Sequence, residues 1–420
     1  MTDPVTLARE TFPSESAPRA PLASWLGQTN EVTRLFLSAG QIPGLINLAG
    51  GLPDPSVWPV EELADLAASV IRETPAQALA YSPIEGLADL RDEIARRFST
   101  GGLRLDRGNV LITTGGMQAL ELLGKVLLDP VQPARRATIA AQSPAYLGAL
   151  DAWRPRHPDY RPMRLDRADC DMRAAMEGAQ FAYVVPNFSN PTGRLVPEAQ
   201  RHALVAAATA SGCWLVEDDP YGALYYDGAR LPRLLELAAG PGPYDGPGIY
   251  LGTVSKELAP GLRIGWVIAA PEMIQALTLA KQGSDMSTSG LCQMIYLRAL
   301  QQGLTERVLP GILSLYADRR DALLDAMGRH LSDLFTWERP KGGMFVWASA
   351  RDPRLDTDRL LALALEHGTC VTPSSVFDPE GLDRRAIRVN FTLNAPPELD
   401  EGVRRLARAA RAALAQEEAA

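Results

Sequence analysis

The chain has 420 residues, of which 46% are hydrophobic and 22% are charged, and its formal net charge at pH 7 is -8. These values are typical of a globular protein with a large and a smaller domain or two comparable ones. The negative charge, without a lysine- and arginine-rich stripe, argues against a nucleic-acid surface. No apolar run reaches the roughly 18 residues that a membrane span needs, and the polar segment 1–21 does not have the pattern of a secretory signal.

The four cysteines are far apart in the sequence and have no histidine at ligand spacing, so neither a zinc site nor a disulfide framework is indicated. They are Cys170, Cys213, Cys292 and Cys370. We expect them to be reduced residues of a cytoplasmic protein.

Short β-like runs alternate with helical segments through the middle of the chain, which predicts an α/β fold with a mainly parallel sheet covered by helices on both faces. We expect residues 1–45 to form an N-terminal arm or part of a small domain, and residues 46–310 to form the large domain. The clearest strands are residues 110–113, 137–140, 181–185, 214–216, 249–251 and 264–270, and the clearest helices are residues 117–128 and 197–211.

The pattern changes after about residue 310. We expect a smaller α+β domain over residues 311–420, beginning with a long helix at 311–330. The later elements are strands at 344–347, 369–372 and 386–392, a helix at 356–366 and a C-terminal helix.

Polar clusters follow nearly every predicted strand of the large domain. Ligands of parallel sheets bind outside the carboxyl ends of the strands, so these clusters are expected to converge on one edge. Turn chemistry explains any one of them, but it does not explain five that carry complementary charges. The clusters are residues 114–116, 142–146, 186–193, 217–221 and 253–256.

Lys256 is one of only four lysines among 42 basic residues, and it lies at the end of a predicted strand. Arginine stays protonated, whereas a desolvated lysine amine can lose its proton and form a Schiff base with a carbonyl. Seven residues later Arg263 lies between a Pro-Gly turn and another strand, where it could hold a phosphate. The two residues together point towards pyridoxal phosphate.

The turn at residues 114–116 ends a strand and opens a helix, so it presents backbone N–H groups and a positive dipole end to an anion. With Arg263 and the hydroxyls of Thr253 and Ser255 it would form a phosphate cup.

Asp218 could serve the other end of a pyridoxal ring, because a carboxylate beside the ring nitrogen keeps it protonated. The acidic run 217–219 could instead bind Mg²⁺ or lie on a solvated loop. Because the sequence has no Walker-type glycine loop, the Mg²⁺ site is the weaker hypothesis for this acidic run.

As a set, these motifs resemble those of the fold-type I, pyridoxal-phosphate-dependent aminotransferases of class I/II, in particular the 2-aminoadipate and kynurenine/2-aminoadipate branch. The resemblance runs from about residue 45 to residue 391. It implies a mainly parallel seven-stranded sheet and a smaller C-terminal domain. It also implies ping-pong transfer of an amino group from an L-amino acid, such as 2-aminoadipate, glutamate or an aromatic or aliphatic one, to a 2-oxo acid such as 2-oxoglutarate.

The resemblance assigns cofactor roles to residues of the strand-end clusters. Lys256 would be the Schiff-base lysine and move the substrate proton, Asp218 would contact the ring nitrogen, and Tyr146 would stack on the ring. Asn190, in the Asn-Pro-Thr-Gly stretch, and Tyr221 would hydrogen-bond the ring O3′. The residues implied for the phosphate are Gly116, Met117, Thr253, Ser255 and Arg263.

The resemblance also assigns residues to the substrate and to a partner subunit. Arg388 would bind the α-carboxylate, and Gly51 and Asn190 would line the substrate side. Tyr81 would reach the phosphate of the neighbouring subunit, which implies a homodimer with shared active sites, and it is a further candidate for proton relay beside Tyr221. Arg34 would recognise a distal carboxylate, with a surface helix arginine as the alternative.

One position departs from the family pattern. Relatives often carry a Ser-Gln pair where this chain has Gly116-Met117, so a hydroxyl to the phosphate is lost and cofactor affinity could be lower.

Two rival functions share the fold. A lyase or decarboxylase would use the same cofactor. An aminotransferase-like effector domain of a transcription regulator would need a basic helix-turn-helix domain, which the roughly 50 residues before Gly51 do not contain.

Overall fold

The computed structural model describes residues 20–28, 32–39, 42–128 and 136–418. Residues 1–30 form one unit and residues 31–420 another. The described part of the first unit contains a short 3₁₀ turn, Ser24–Gln28. The arm expected over residues 1–45 therefore lies largely outside the described residues and stays a prediction.

The second unit alternates strands and helices, as the sequence predicts. Its described strands are β1 Ile46–Asn47, β2 Val110–Thr113, β3 Thr138–Gln142, β4 Asp159–Met163, β5 Phe181–Val184, β6 Trp214–Asp218, β7 Gly248–Thr253, β8 Gly265–Ile268, β9 Phe335–Trp337, β10 Phe345–Ala350, β11 Thr369–Cys370, β12 Thr372–Pro373 and β13 Ala386–Asn390. Its described helices are α1 Val32–Ala39, α2 Val60–Glu73, α3 Pro75–Leu79, α4 Ala88–Phe98, α5 Gly115–Leu127, α6 Leu147–Trp153, α7 Met172–Met176, α8 Glu198–Ser211, α9 Leu234–Leu237, α10 Pro271–Gln282, α11 Gly290–Gln301, α12 Leu304–His330, α13 Thr357–Glu366 and α14 Pro396–Glu418.

The large sheet has seven strands in the order β2-β8-β7-β6-β5-β3-β4. Strands β4, β3, β5, β6 and β7 pair in parallel, while β8 runs antiparallel to both of its neighbours. The predicted mainly parallel seven-stranded sheet is confirmed. Because β2 and β7 both run opposite to β8, the carboxyl ends of all strands except β8 lie on one edge.

The sheet is buried on both faces, which its apolar strands require. Successive side chains of a strand point to opposite faces. On β5, Phe181 and Tyr183 accordingly join one hydrophobic cluster, whereas Ala182 and Val184 join another. This alternation decides which polar side chains near the strand ends share a face.

The C-terminal part of the chain builds a smaller antiparallel sheet in the order β12-β13-β10-β9. Strand β1 pairs in parallel with β11, so chain near residue 46 joins this part. The predicted start of a helix at residue 311 is wrong, because α12 begins at Leu304 and continues through Pro310. The helix crosses the expected domain boundary, and the division of the chain into domains stays a prediction.

Three described strands have no counterpart in the sequence interpretation, and one of them, β1, has only two residues. Strand β4 is an edge strand with mostly half-buried or exposed side chains, and β9 has only three residues, so neither shows a clear apolar pattern. No helix in the described ranges is both long enough and apolar enough to cross a membrane.

Candidate active site

A cavity of about 270 Å³ opens at the carboxyl edge of the large sheet. Residues that follow β2, β3, β5, β6 and β7 line it, together with Arg388 of β13 from the smaller sheet. The five polar clusters that the sequence predicts to converge therefore meet here. Its lining includes all of the expected site residues except Tyr81 and Arg34.

One end of the cavity is built to receive an anion. Gly115 has a φ of 74° and lies at the start of α5, so the turn presents N–H groups at a helix N-terminus. A Cβ at Gly115 would lie 2.4 Å from Nη2 of Arg263, which only glycine avoids. Thr253 and Ser255 face the same end, and their hydroxyls lie 2.9 Å apart.

A partly buried ion pair supports this turn. The Thr114 hydroxyl donates to Oδ2 of Asp285 at 2.7 Å, and the Thr114 N–H donates to Gln118 at 2.8 Å. Asp285 also accepts from the fully buried Lys281 of α10. The position of the turn is thus fixed by side chains before any ligand binds.

Lys256 also lines the cavity, and its Nζ donates to the carbonyl oxygen of Gly51 at 2.8 Å. Burial, reinforced by the positive charges of Arg388 and Arg263, lowers the pKa of the amine to about 8. A substantial fraction of the amine is therefore neutral, and so nucleophilic and basic, near physiological pH.

Asp218 is the carboxylate that lines the cavity. It accepts a hydrogen bond from the Tyr183 hydroxyl at 2.6 Å, and both side chains are buried. Burial raises the pKa of Asp218 to about 7, and the Tyr183 hydrogen bond opposes that rise. A cationic partner in the cavity would hold this carboxylate ionised.

The neighbouring acidic residues face elsewhere. Asp219 accepts hydrogen bonds from Tyr250 at 3.0 Å and Asn187 at 2.8 Å, and Glu217 accepts from the N–H of Leu235. No group of three metal-binding side chains occurs within the described ranges. The three carboxylates therefore do not form the shared Mg²⁺ site that the sequence left open.

Arg388 is buried and held by several partners. Nη1 donates to Oδ1 of Asn190 at 2.6 Å, and Nη2 donates to the carbonyl of Ala49 at 2.6 Å and to the hydroxyl of Thr372 at 3.1 Å. The guanidinium lies over the ring of Phe345, 4.3 Å from its centroid. This bonding orients a planar cation whose fork matches a carboxylate.

Three further polar side chains line the cavity, those of Asn190, Tyr221 and Tyr146. Nδ2 of Asn190 donates to the Tyr221 hydroxyl at 3.3 Å. Burial raises the pKa of Tyr146 to about 12 and that of Tyr221 higher still, so both hydroxyls are protonated donors.

Of three further expected residues, Gly51 and Met117 line the cavity and Tyr81 does not. Gly51 lines the cavity, and a Cβ there would lie 2.7 Å from the Phe345 ring. Met117 lines it too, with its sulfur 3.7 Å from the Tyr146 hydroxyl. Tyr81 is 87% exposed and is not part of the lining among the described residues.

Arg34 lies on α1 with an exposed side chain, and the residue of this helix that lines the cavity is its neighbour Thr33. Sequence reasoning also missed Tyr183 and Thr372. Thr33 and Thr372 carry no sequence signal, because their positions depend on packing between distant segments. Tyr183 could have been found, since alternation along β5 places it on a predictable face.

The chain matches a known protein family over most of its length. The model of the family "Aminotransferase class I and II" matches residues 43–406. The chain belongs to this family. A 2-aminoadipate transaminase of Thermus thermophilus is 39% identical over 91% of this chain and 94% of its own length. An aromatic-amino-acid aminotransferase of Thermococcus litoralis is 32% identical over 96% of this chain and 94% of its own length.

The structural comparison agrees with the sequence comparison. The crystal structure of the α-aminoadipate aminotransferase LysN from Thermus thermophilus, in complex with N-(5′-phosphopyridoxyl)-L-leucine, matches with a TM-score of 0.81 at 37% identity. The match covers 94% of this chain and 100% of that one. The expected fold-type I architecture is confirmed.

A glycine in the turn and a glycine far from it give a matched pair of variants. Gly115→Ala is expected to lower the affinity for pyridoxal phosphate by about tenfold or more, because the new methyl group displaces the Arg263 guanidinium. Gly311→Ala, in α12, is the control, since a Cβ there meets no atom within 4 Å and Gly311 does not line the cavity. Equilibrium dialysis of the two apo-proteins measures the difference. Equal affinities would show that Arg263 and the turn do not form the phosphate site.

Proposed function

We propose that this chain is a pyridoxal-phosphate-dependent aminotransferase that moves the amino group of an L-amino acid to a 2-oxo acid, with 2-oxoglutarate as an acceptor. The observation that carries the proposal is the buried, low-pKa Lys256 amine in one cavity with Asp218 and Arg388. Family membership supports the reaction class and the cofactor.

The residues of the cavity fit the cofactor at each of its polar groups. The Gly115 turn and Arg263 offer N–H groups and a cation to a phosphate, and Asp218 offers an anion to a protonated ring nitrogen. Arg263 makes no ion pair with a carboxylate of the described chain, so its charge is available to an anionic ligand. Lys256 would hold the cofactor through its amine.

Bound pyridoxal phosphate supplies an electron sink that stabilises negative charge at the substrate α-carbon. Lys256 Nζ would take the proton from that carbon, which a neutral amine with a pKa of about 8 can do near neutral pH. Asp218 would hold the ring nitrogen as a cation. Asn190 and the protonated hydroxyl of Tyr221 would orient the ring through its O3′.

Arg388 would bind the α-carboxylate shared by every amino-acid and 2-oxo-acid substrate. Its hydrogen bonds to Asn190, Ala49 and Thr372 hold it in place, so little rotational freedom is lost when the substrate binds. Two apolar rings, Phe345 and Phe377, flank it and lower the local dielectric constant.

The substrates that we propose are 2-aminoadipate, glutamate and aromatic or aliphatic L-amino acids. The names of two relatives, a 2-aminoadipate transaminase and an aromatic-amino-acid aminotransferase, support both an acidic and an aromatic class. Arg34 is retained as a proposed contact for a distal carboxylate; Thr33 is the residue of its helix that lines the cavity. The proposed cellular location is the cytoplasm, since the four cysteines are free thiols.

The active unit that we propose is a homodimer in which Tyr81 contacts the phosphate bound by its partner. The exposed Tyr81 side chain supports this role, because an 87% exposed tyrosine outside its own cavity is available to a second subunit. The exposed apolar side chains of Leu79 and Met286 are further candidates for a covered surface.

The reaction is tested by incubating the protein, loaded with cofactor, with a panel of amino acids. We expect one 2-oxoglutarate to be consumed for each donor consumed, and Lys256→Arg to lose at least about 1,000-fold in rate because arginine cannot act as a base or nucleophile. Lys125→Arg, on the outer part of α5, is the control and is expected to keep full activity. Donor loss without 2-oxoglutarate consumption would instead indicate a lyase or decarboxylase.

The shared site is tested by co-expressing Tyr81→Ala and Lys256→Ala subunits. A mixed dimer combines the intact Lys256 of one subunit with the intact Tyr81 of the other, so one full site is restored. We expect activity well above that of either variant alone, measured at limiting cofactor. Activity no higher than that of Tyr81→Ala dimers would contradict the role of Tyr81.

A further inference from the structure

The backbone register explains why Tyr183 meets Asp218. Tyr183 of β5 lies beside Val216 of β6, and Asp218 follows two residues later on the same face. Two residues advance a strand by about 6.6 Å, which is close to the length of a tyrosine side chain. The hydroxyl therefore reaches the carboxylate with the backbone of both strands in regular pairing.

The packing around Tyr183 fixes its hydroxyl in place. Its ring lies edge-on to Trp153, with centroids 5.0 Å apart. The indole N–H of Trp153 in turn donates to the carbonyl of Leu120 in α5, at 2.8 Å. Because Tyr183 and Trp153 are both fully buried, the tyrosine has no alternative position from which to bond the solvent.

The hydrogen bond has an electrostatic consequence for Asp218. Burial and the nearby charge of Asp219 raise the pKa of Asp218, and the bond donated by Tyr183 is the influence that lowers it. A hydroxyl that donates to a carboxylate stabilises its ionised form. Without this donor the carboxylate would more readily take a proton and lose its charge.

A second tyrosine–aspartate pair, Tyr250 with Asp219, provides a comparison. Its aspartate is the residue that follows Asp218. Tyr250 donates to Oδ2 of Asp219 at 3.0 Å, from the opposite face of the sheet. Asp219 does not line the cavity. The described part of the chain thus contains these two buried pairs of the same chemistry, of which one faces the site.

We propose that Tyr183 is a positioning residue for the amino-transfer reaction, in which its hydroxyl holds the Asp218 carboxylate ionised and in a single orientation at the cavity wall. This inference rests on the proposed function, because Asp218 acts there on the cofactor ring nitrogen. Tyr183 itself does not touch the cavity, so its effect passes through Asp218.

The test combines Tyr183→Phe, Asp218→Asn, the double variant and the control Tyr250→Phe. Two properties are measured: the dissociation constant for pyridoxal phosphate, and the ¹⁵N chemical shift of the bound cofactor's ring nitrogen. We expect Tyr183→Phe to weaken binding roughly tenfold and to move the ¹⁵N shift towards the neutral ring. Tyr250→Phe is expected to change neither property.

The double variant separates action through Asp218 from a general packing effect. Once Asp218→Asn has removed the carboxylate, Tyr183→Phe is expected to add nothing further. An equal effect of Tyr183→Phe with and without Asp218, or no change in the ¹⁵N shift, would overturn the proposal. Failure of the wild type to bind pyridoxal phosphate would instead overturn the proposed function.

If Tyr183→Phe does not fold, 3-fluorotyrosine placed at position 183 alone tests the same bond. Its phenol is more acidic and a stronger donor. We expect the ring nitrogen of the bound cofactor, followed by its ¹⁵N shift, to keep its proton to a higher pH than in the wild type. Loss of the proton at the same or a lower pH would overturn the proposal.

Discussion

The site depends on one constraint, the burial of the Lys256 amine beside the cations Arg388 and Arg263. A buried ammonium group near Arg388 and Arg263 is unfavourable, so the amine loses its proton near pH 8 rather than near its ordinary value of 10.5. The same arginines give the cavity a positive potential, which favours ligands that carry a phosphate and a carboxylate. Burial is the main cause of the low lysine pKa, and the arginines that reinforce it also favour the binding of anions.

The fold brings these residues together because several strands end at the same edge of the large sheet. Parallel strands deliver their carboxyl ends to one edge, and β13 brings Arg388 to that edge from the smaller sheet. The side chains behind the cavity then fix those in it: Asp285 holds the turn at Gly115 through Thr114, and Tyr183 contacts Asp218. Much of the rigidity of the site thus comes from groups that no ligand would touch.

The sequence predicted the large sheet and most of the cavity, because strand patterns and strand-end clusters are local features. Lys256, Asp218 and Arg263 could be found this way, whereas the proposed substrate role of Arg388 needed the family resemblance. Contacts between distant segments could not be predicted: the support of Thr114 by Asp285 depends on packing of α10 against α5. The start of α12 was misplaced because Pro310 usually marks a helix end but is here accommodated inside the helix.

The most direct test of the central claim is a pH titration of the lysine amines by NMR, in apo-protein labelled with ¹³C-lysine. The chain has only four lysines, so Lys256→Arg assigns its resonance without ambiguity. The account predicts that the Lys256 resonance titrates with a pKa of about 8. A pKa near the ordinary 10.5 would contradict it, because the amine would then be protonated at neutral pH and could act neither as a base nor as a nucleophile.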